Sequence, residues 1–177
     1  AVGAMGIINS IAQLLVMSII AINIAAQPII GFNYGAQNLC RVRKTLITCL
    51  KAATLIAIAG FAVTQLFPGT IVRIFNTDSP ELFELGKEGL RKFTLLFPLV
   101  GFQIITGSYY QSIGKAGIAA FLSLLRQVIV LIPVLFILPE FTGLNGVWFA
   151  NPLSDIISAA VTSVFLAHAL QQLSPQK

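Results

Sequence analysis

Charged side chains are absent from positions 1–40, from 52–72 and from 93–114, and positions 116–139 carry only Arg126. A hydrocarbon core about 30 Å thick takes roughly 20 helical residues to cross, so each of these intervals is long enough for one crossing. Positions 141–176 carry only Asp155 and His168, which supplies a fifth. Composition leads the same way. Hydrophobic residues make up 56% of the 177, charged residues 10%, and mean hydropathy is +0.90, where an ordinary soluble domain carries about 25% charge. A water-soluble fold built from this chain would lack the polar surface to cover its core. The expected fold is therefore all-α, a polytopic membrane protein with five transmembrane helices near 4–30, 46–70, 93–114, 117–138 and 145–170. Barrel strands alternate over about ten residues, whereas these runs are apolar on both parities.

The placement of Lys and Arg sets the orientation. Arg41, Arg43 and Lys44 follow the first span, Lys115 the third and Lys177 the fifth. Between the second and third spans, Arg73, Lys87, Arg91 and Lys92 are balanced by Asp78, Glu81, Glu84 and Glu88, and only Glu140 follows the fourth. The first group is expected on the cytoplasmic side of the cell (inner) membrane, together with the C-terminus. The net charge of +5 is mostly this bias. No basic run exceeds Arg41–Lys44, which argues against a nucleic-acid partner. Residues Thr77–Phe93 read as an amphipathic helix at the outer surface, opened by Ser79 and Pro80 at its Ncap and N1 positions. The chain opens "AVGAMG", with no initiator Met and no basic flank, and is expected to continue an upstream portion.

Polar groups inside the spans are costly in hydrocarbon unless they find partners. Asn9 and Gln27 are 18 residues apart, five full turns at about 100° per residue, and Gln13 and Asn23 lie about 40° to either side. The four amides form one stripe, which is either interhelical hydrogen-bond glue or the wall of a cavity. Gln103, Thr106 and Tyr110 repeat the pattern in the third span. Pro28, Pro98 and Pro133 interrupt backbone hydrogen bonding within spans, and Gly31 and Gly35 follow the first of them. These five are candidate hinge positions, with the first helix expected to kink or stop at Gln27.

Arg126 and Asp155 each lie about ten residues into a span and should meet near mid-depth. An unpaired charge there costs at least about 2.5–3.5 kcal/mol, so the two are expected to pair. A second possibility places Asn151 and Pro152 at a helix start, which would make Asp155 a shallow residue serving that helix N-terminus. Trp148 fits an outer aromatic belt, His168 an interfacial position, and Cys40 and Cys49 free thiols near the cytoplasmic face. Gly107–Lys115 lacks the spacing of a phosphate loop. No nucleophile has a base beside it and no metal cluster is visible, so neither an enzyme nor a metal or cofactor site is expected.

Three stretches, "QPIIGFNYGAQNLCRVRKTL" at 27–46, "GFQIITGSYYQSIGKAG" at 101–117 and "LLRQVIVLIPVLFILPEFTGLNGVWFANPLSD" at 124–155, resemble the C-terminal half of the multidrug and toxic compound extrusion (MATE) family, MepA-like branch. The resemblance implies a secondary active exporter of cationic amphipathic compounds, driven by Na⁺ or H⁺, with twelve helices in two bundles. Residues 1–177 would then be a C-terminal transmembrane bundle lacking the upstream bundle and one helix. It places Asn9, Gln13, Asn23, Gln27, Gln103 and Tyr110 on the substrate pathway, and makes Arg126 and Asp155 a structural or gating pair. The third span has no acid matching the cation site of some relatives. Two other readings remain open: a flippase for lipid-linked glycans within the same superfamily, and a non-transporting membrane scaffold.

Overall fold

A computed structural model describes residues 2–75 and 80–173. Among these, all regular structure is helical. In chain order the α-helices are α1 (Val2–Gly35), α2 (Leu39–Leu66), α3 (Pro68–Phe75), α4 (Pro80–Phe93), α5 (Pro98–Ser112), α6 (Ala116–Leu124), α7 (Leu131–Thr142) and α8 (Leu144–Gln172), with one π turn, Leu125–Val130, joining α6 to α7. Four stretches are long and apolar enough to cross a bilayer: Met5–Gly35, Leu39–Leu66, Ala116–Thr142 and Gly146–Gln172. A bent pair, Phe83–Phe93 with Pro98–Ser112 at 54°, is together long and apolar enough to count as a fifth.

Short turns join α1 to α2, α5 to α6 and α7 to α8. Gln37, at φ 59°, and the side chain of Asn38, which accepts from the Arg41 amide, close the α1–α2 turn. Gly114, at φ 79°, closes α5–α6, a conformation that costs glycine little. The main core is built by Ile19, Ala26 and Ile30 of α1, Val42, Leu46, Ala53 and Ala57 of α2, Val100, Ile105 and Tyr109 of α5, and Ala169 of α8. A smaller cluster, toward the N-terminal end of α1, joins Ile8, Ile11, Val72, Leu90 and Trp148. Helices α2 and α5 cross closely at Gly101, where a Cβ would lie 2.8 Å from the Ala53 carbonyl oxygen. Close approach of backbones at small residues is how membrane helices gain packing without a hydrophobic drive between them.

Several sequence expectations need correction. The second span ends at Leu66 rather than running to residue 70, because Pro68 brings a fixed φ and no N–H and opens α3 instead. The helix expected to lie on the outer surface forms a bent pair with α5 and packs into the bundle. Its Leu90 is fully buried, and Gly89 meets Ile8 and Trp148. Its charges still face outward, with Lys87 beside Glu84 and Lys92 beside Glu88 at helical spacing. Ser79, expected as the Ncap, lies outside the described residues. Trp148 is 3% exposed in the smaller cluster, not in a lipid-facing belt.

Pro28 does not end α1, which runs on to Gly35. The turns beyond it are held by the Asn33 side chain, donating to the Ile29 carbonyl at 2.8 Å, and by the Asn38 amide, donating to the Asn33 carbonyl at 2.8 Å. Gly31 packs against the Ser112 carbonyl, whose oxygen would lie 3.2 Å from a Cβ added there, whereas Gly35 has open space around it. Pro98 sits at the first turn of α5, and the helix breaks over residues 94–97. There the Thr94 carbonyl accepts from the Phe97 amide at 3.1 Å, so it is not left bare. Pro133 follows the π turn by three residues, inside α7.

Candidate functional site

Helix α8 passes through Pro152 without starting there, so Asp155 lies well inside the span rather than at a helix N-terminus. Its side chain is 5% exposed, and its Oδ1 accepts from Arg126 Nε at 2.7 Å. The Arg126 backbone is held by the neighbouring residue: Ser154 Oγ donates to its carbonyl at 2.8 Å. The Leu131 amide reaches back to that same carbonyl, closing the π turn. A π turn widens the helix by one residue and re-aims side chains, a feature that recurs at functional sites. Gln103 of α5 completes the junction, its Nε2 donating to the Asp155 carbonyl at 3.2 Å. Three crossings thus meet around one ion pair.

The Arg126 side chain, 26% exposed, faces a cavity of about 420 Å³ between α1, α5 and α6. Its polar lining comes from Asn23, Gln103, Ser108, Gln111, Ser123 and Gln127, together with Arg126. The apolar lining is mostly small, with Gly107, Ala116, Ala119 and Ala120 beside Ile104 and Leu122. The cavity runs from Gln103 and Arg126 toward the α5–α6 turn, which Gln111 and Ala116 flank. A second depression, about 390 Å³, is more open and apolar, between Leu55 and Ile58 of α2, Phe102 of α5 and Leu166 of α8.

The predicted site residues separate into groups. Asn23 and Gln103 line the cavity, and Gln27 reaches its wall by donating to Ser108 Oγ at 3.3 Å. Asn9 and Gln13 do not: both are exposed and line neither cavity. The four amides share one side of α1, but α5 flanks only the inner part of it, so the expected continuous wall is a wall over half its length. Tyr110 is also corrected. It is 2% exposed, its hydroxyl donates to the Phe165 carbonyl at 2.8 Å, and its ring packs edge-on to Tyr109 and Phe165. Thr106 spends its hydroxyl on the Phe102 carbonyl. Sequence reasoning missed Ser108, Gln111, Ser123 and Gln127. Gln111 stands eight residues beyond Gln103, about 80° around the helix, and Gln127 directly follows Arg126, so neither falls on a narrow stripe of the kind that marked α1.

His168 is exposed near the inner end and within 2.9 Å of the Gln172 amide nitrogen. Cys40 and Cys49 are free thiols. Among the described residues, no group of three His, Cys, Asp or Glu side chains could hold a metal ion.

A helical bundle with four to five candidate crossings, a polar cavity and a buried ion pair between spans defines an integral membrane protein. Residues 1–137 match the MatE family, and the chain belongs to that family. It is 25% identical over 171 residues to the multidrug export protein MepA of Staphylococcus haemolyticus, covering 97% of this chain and 37% of that protein. The structure of the MATE multidrug transporter DinF-BH in complex with R6G is 40% identical, with a TM-score of 0.85 over 93% of this chain and 36% of that one. An outward-facing MATE family transporter of the MOP superfamily shares the fold at TM-score 0.89, with 21% identity, 97% of this chain and 39% of that one. The chain therefore spans somewhat over a third of the length of these relatives.

Proposed function

We propose that these residues form a C-terminal bundle of a multidrug exporter in the cell (inner) membrane, with the C-terminus in the cytoplasm. It would export cationic amphipathic compounds in exchange for Na⁺ or H⁺. A second bundle, supplied by the remaining length seen in relatives, would complete the transport path. The observation that carries this reading is the cavity reaching Gln103 and Arg126 at mid-depth, where secondary transporters place their substrate sites. A non-transporting scaffold would bury the amide stripe against neighbouring helices and leave no such space. A flippase for anionic lipid-linked glycans calls for several Arg and Lys in the cavity, whereas Arg126 is the one among its described lining residues.

In this reading Asn23, Gln27 and Gln103 offer hydrogen bonds to a substrate whose rings lie against Ala119 and Ala120. Arg126 and Asp155 hold the α5, α6 and α8 segments in register around it. The test is efflux of a cationic dye from vesicles carrying the full-length transporter, under imposed Na⁺ or H⁺ gradients. Efflux driven by one gradient and collapsed by its dissipation is expected. No efflux under either gradient would overturn the proposal.

A further inference from the structure

The guanidinium of Arg126 enters its ion pair edge-on. Of its five N–H donors, the one on Nε is given to Asp155, and among the described residues the four on the terminal nitrogens have no hydrogen-bond partner. The carboxylate lies behind the arginine, 5% exposed against 26%, so the cavity meets the cation and not the acid. None of the other described lining residues is ionisable in the neutral range; the polar ones are amides and hydroxyls. The described wall of this cavity is therefore cationic at mid-depth. A ligand bearing only positive charge would strip water from the guanidinium and return nothing to it.

We propose that the cavity holds a carboxylate, carried by an amphipathic substrate that also bears a delocalised cation, with the terminal nitrogens of Arg126 as its anchor. The inference rests on the reading that this cavity takes substrate, and narrows that substrate to zwitterions. A planar guanidinium fork matches a carboxylate with two parallel hydrogen bonds. Asp155 fixes the edge of the fork, so little ordering is left for binding to supply. The other pole has its own receptor. The amide side chains of Asn23 and Gln111 line the same cavity and offer polar contacts to an amino group on the ring system. Ala119 and Ala120 leave room for flat rings between the two poles, and about 420 Å³ lies within the range of pockets for drug-sized ligands.

Two dyes with one ring system separate the possibilities: rhodamine 110, which has a free carboxylate, and rhodamine 123, its methyl ester. Each is titrated with the purified full-length transporter in phosphatidylcholine nanodiscs and followed by fluorescence anisotropy. Rhodamine 110 is expected to bind at least about tenfold more tightly, the worth of one good charge-assisted contact. In the uncharged double variant Arg126→Gln with Asp155→Asn that preference should fall below about twofold. Ser123→Glu, at an exposed cavity position three residues before Arg126, should suppress it as well by offering the guanidinium a tethered carboxylate. Equal binding of the two dyes, or a preference that survives both variants, overturns the subsite while leaving the transport reading in place. Binding of neither dye overturns both.

Discussion

Ser154 Oγ donates to the backbone carbonyl of Arg126 at 2.8 Å. The next residue along α8, Asp155, accepts from the side chain of the same arginine. Adjacent residues of one helix thus grip both ends of a single residue on another, which fixes where the guanidinium points as well as what it pairs with.

Removing one member of a buried pair strands the other in a poor solvent. Arg126→Ala should lower stability by about 3–5 kcal/mol, and the double neutral variant Arg126→Gln with Asp155→Asn should recover most of that loss. Unfolding by denaturing detergent, followed by circular dichroism, measures both. Equal losses in the single and double variants would show that the charges contribute no coupling.

Gly101→Ala places a methyl group 2.8 Å from the Ala53 carbonyl oxygen, a backbone atom with no freedom to swing away. Forcing α2 and α5 apart should cost about 1–3 kcal/mol. Gly107→Ala, where nothing lies within 4 Å of the added carbon, should instead gain up to about 1 kcal/mol from helix propensity. Melting temperatures of the two variants moving in the same direction would contradict this.

Thr64 and Thr94 share a hydrogen bond at 3.0 Å, both fully buried, and Gln65 Nε2 donates to the Arg91 carbonyl at 2.9 Å beside them. The group fastens the end of α2 to the break between α4 and α5. Thr64→Val and Thr94→Val, combined in a double-mutant cycle, should show a coupling of about 0.5–1.5 kcal/mol. Faster amide hydrogen exchange over residues 94–97 in either variant is the local readout. A coupling near zero would mean the break is held by packing alone.

Tyr110→Phe removes the donor to the Phe165 carbonyl and should cost about 1 kcal/mol of stability, with dye affinity unchanged. Gln103→Ala should weaken dye binding, because that amide lines the cavity. Loss of dye affinity in Tyr110→Phe at normal stability would return the tyrosine to the substrate pathway.

The crossings were legible because the charge-free intervals have the length of a bilayer, and the meeting of Arg126 with Asp155 because both lie at one depth where neither is tolerable alone. Position along a helix is read from sequence more easily than the company a residue keeps. Asn9 and Gln27 share an azimuth, yet only Gln27 has α5 alongside it. Gln111 and Ser123 drew no notice because they stand near span ends, where a polar side chain costs little. Pro28 looked like a stop because a proline's own lost bond is visible in sequence, and the support from Asn33 and Asn38 is visible only in three dimensions. The bend between α4 and α5 was masked by the charges of α4, which suggest a surface helix even though Leu90 and Gly89 are buried on its other face.

The π turn at Leu125–Val130 leaves α6 and α7 out of phase by one residue, about 100° of rotation. A helical wheel drawn straight through residues 116–142 therefore assigns the wrong side to every position beyond 130. Deleting a single residue within the turn would let the segment wind as an ordinary α-helix while keeping α7 seated against α8. The crossing that carries Arg126 is thus the one where a shortened sequence can preserve the packing and lose only the aim of the guanidinium.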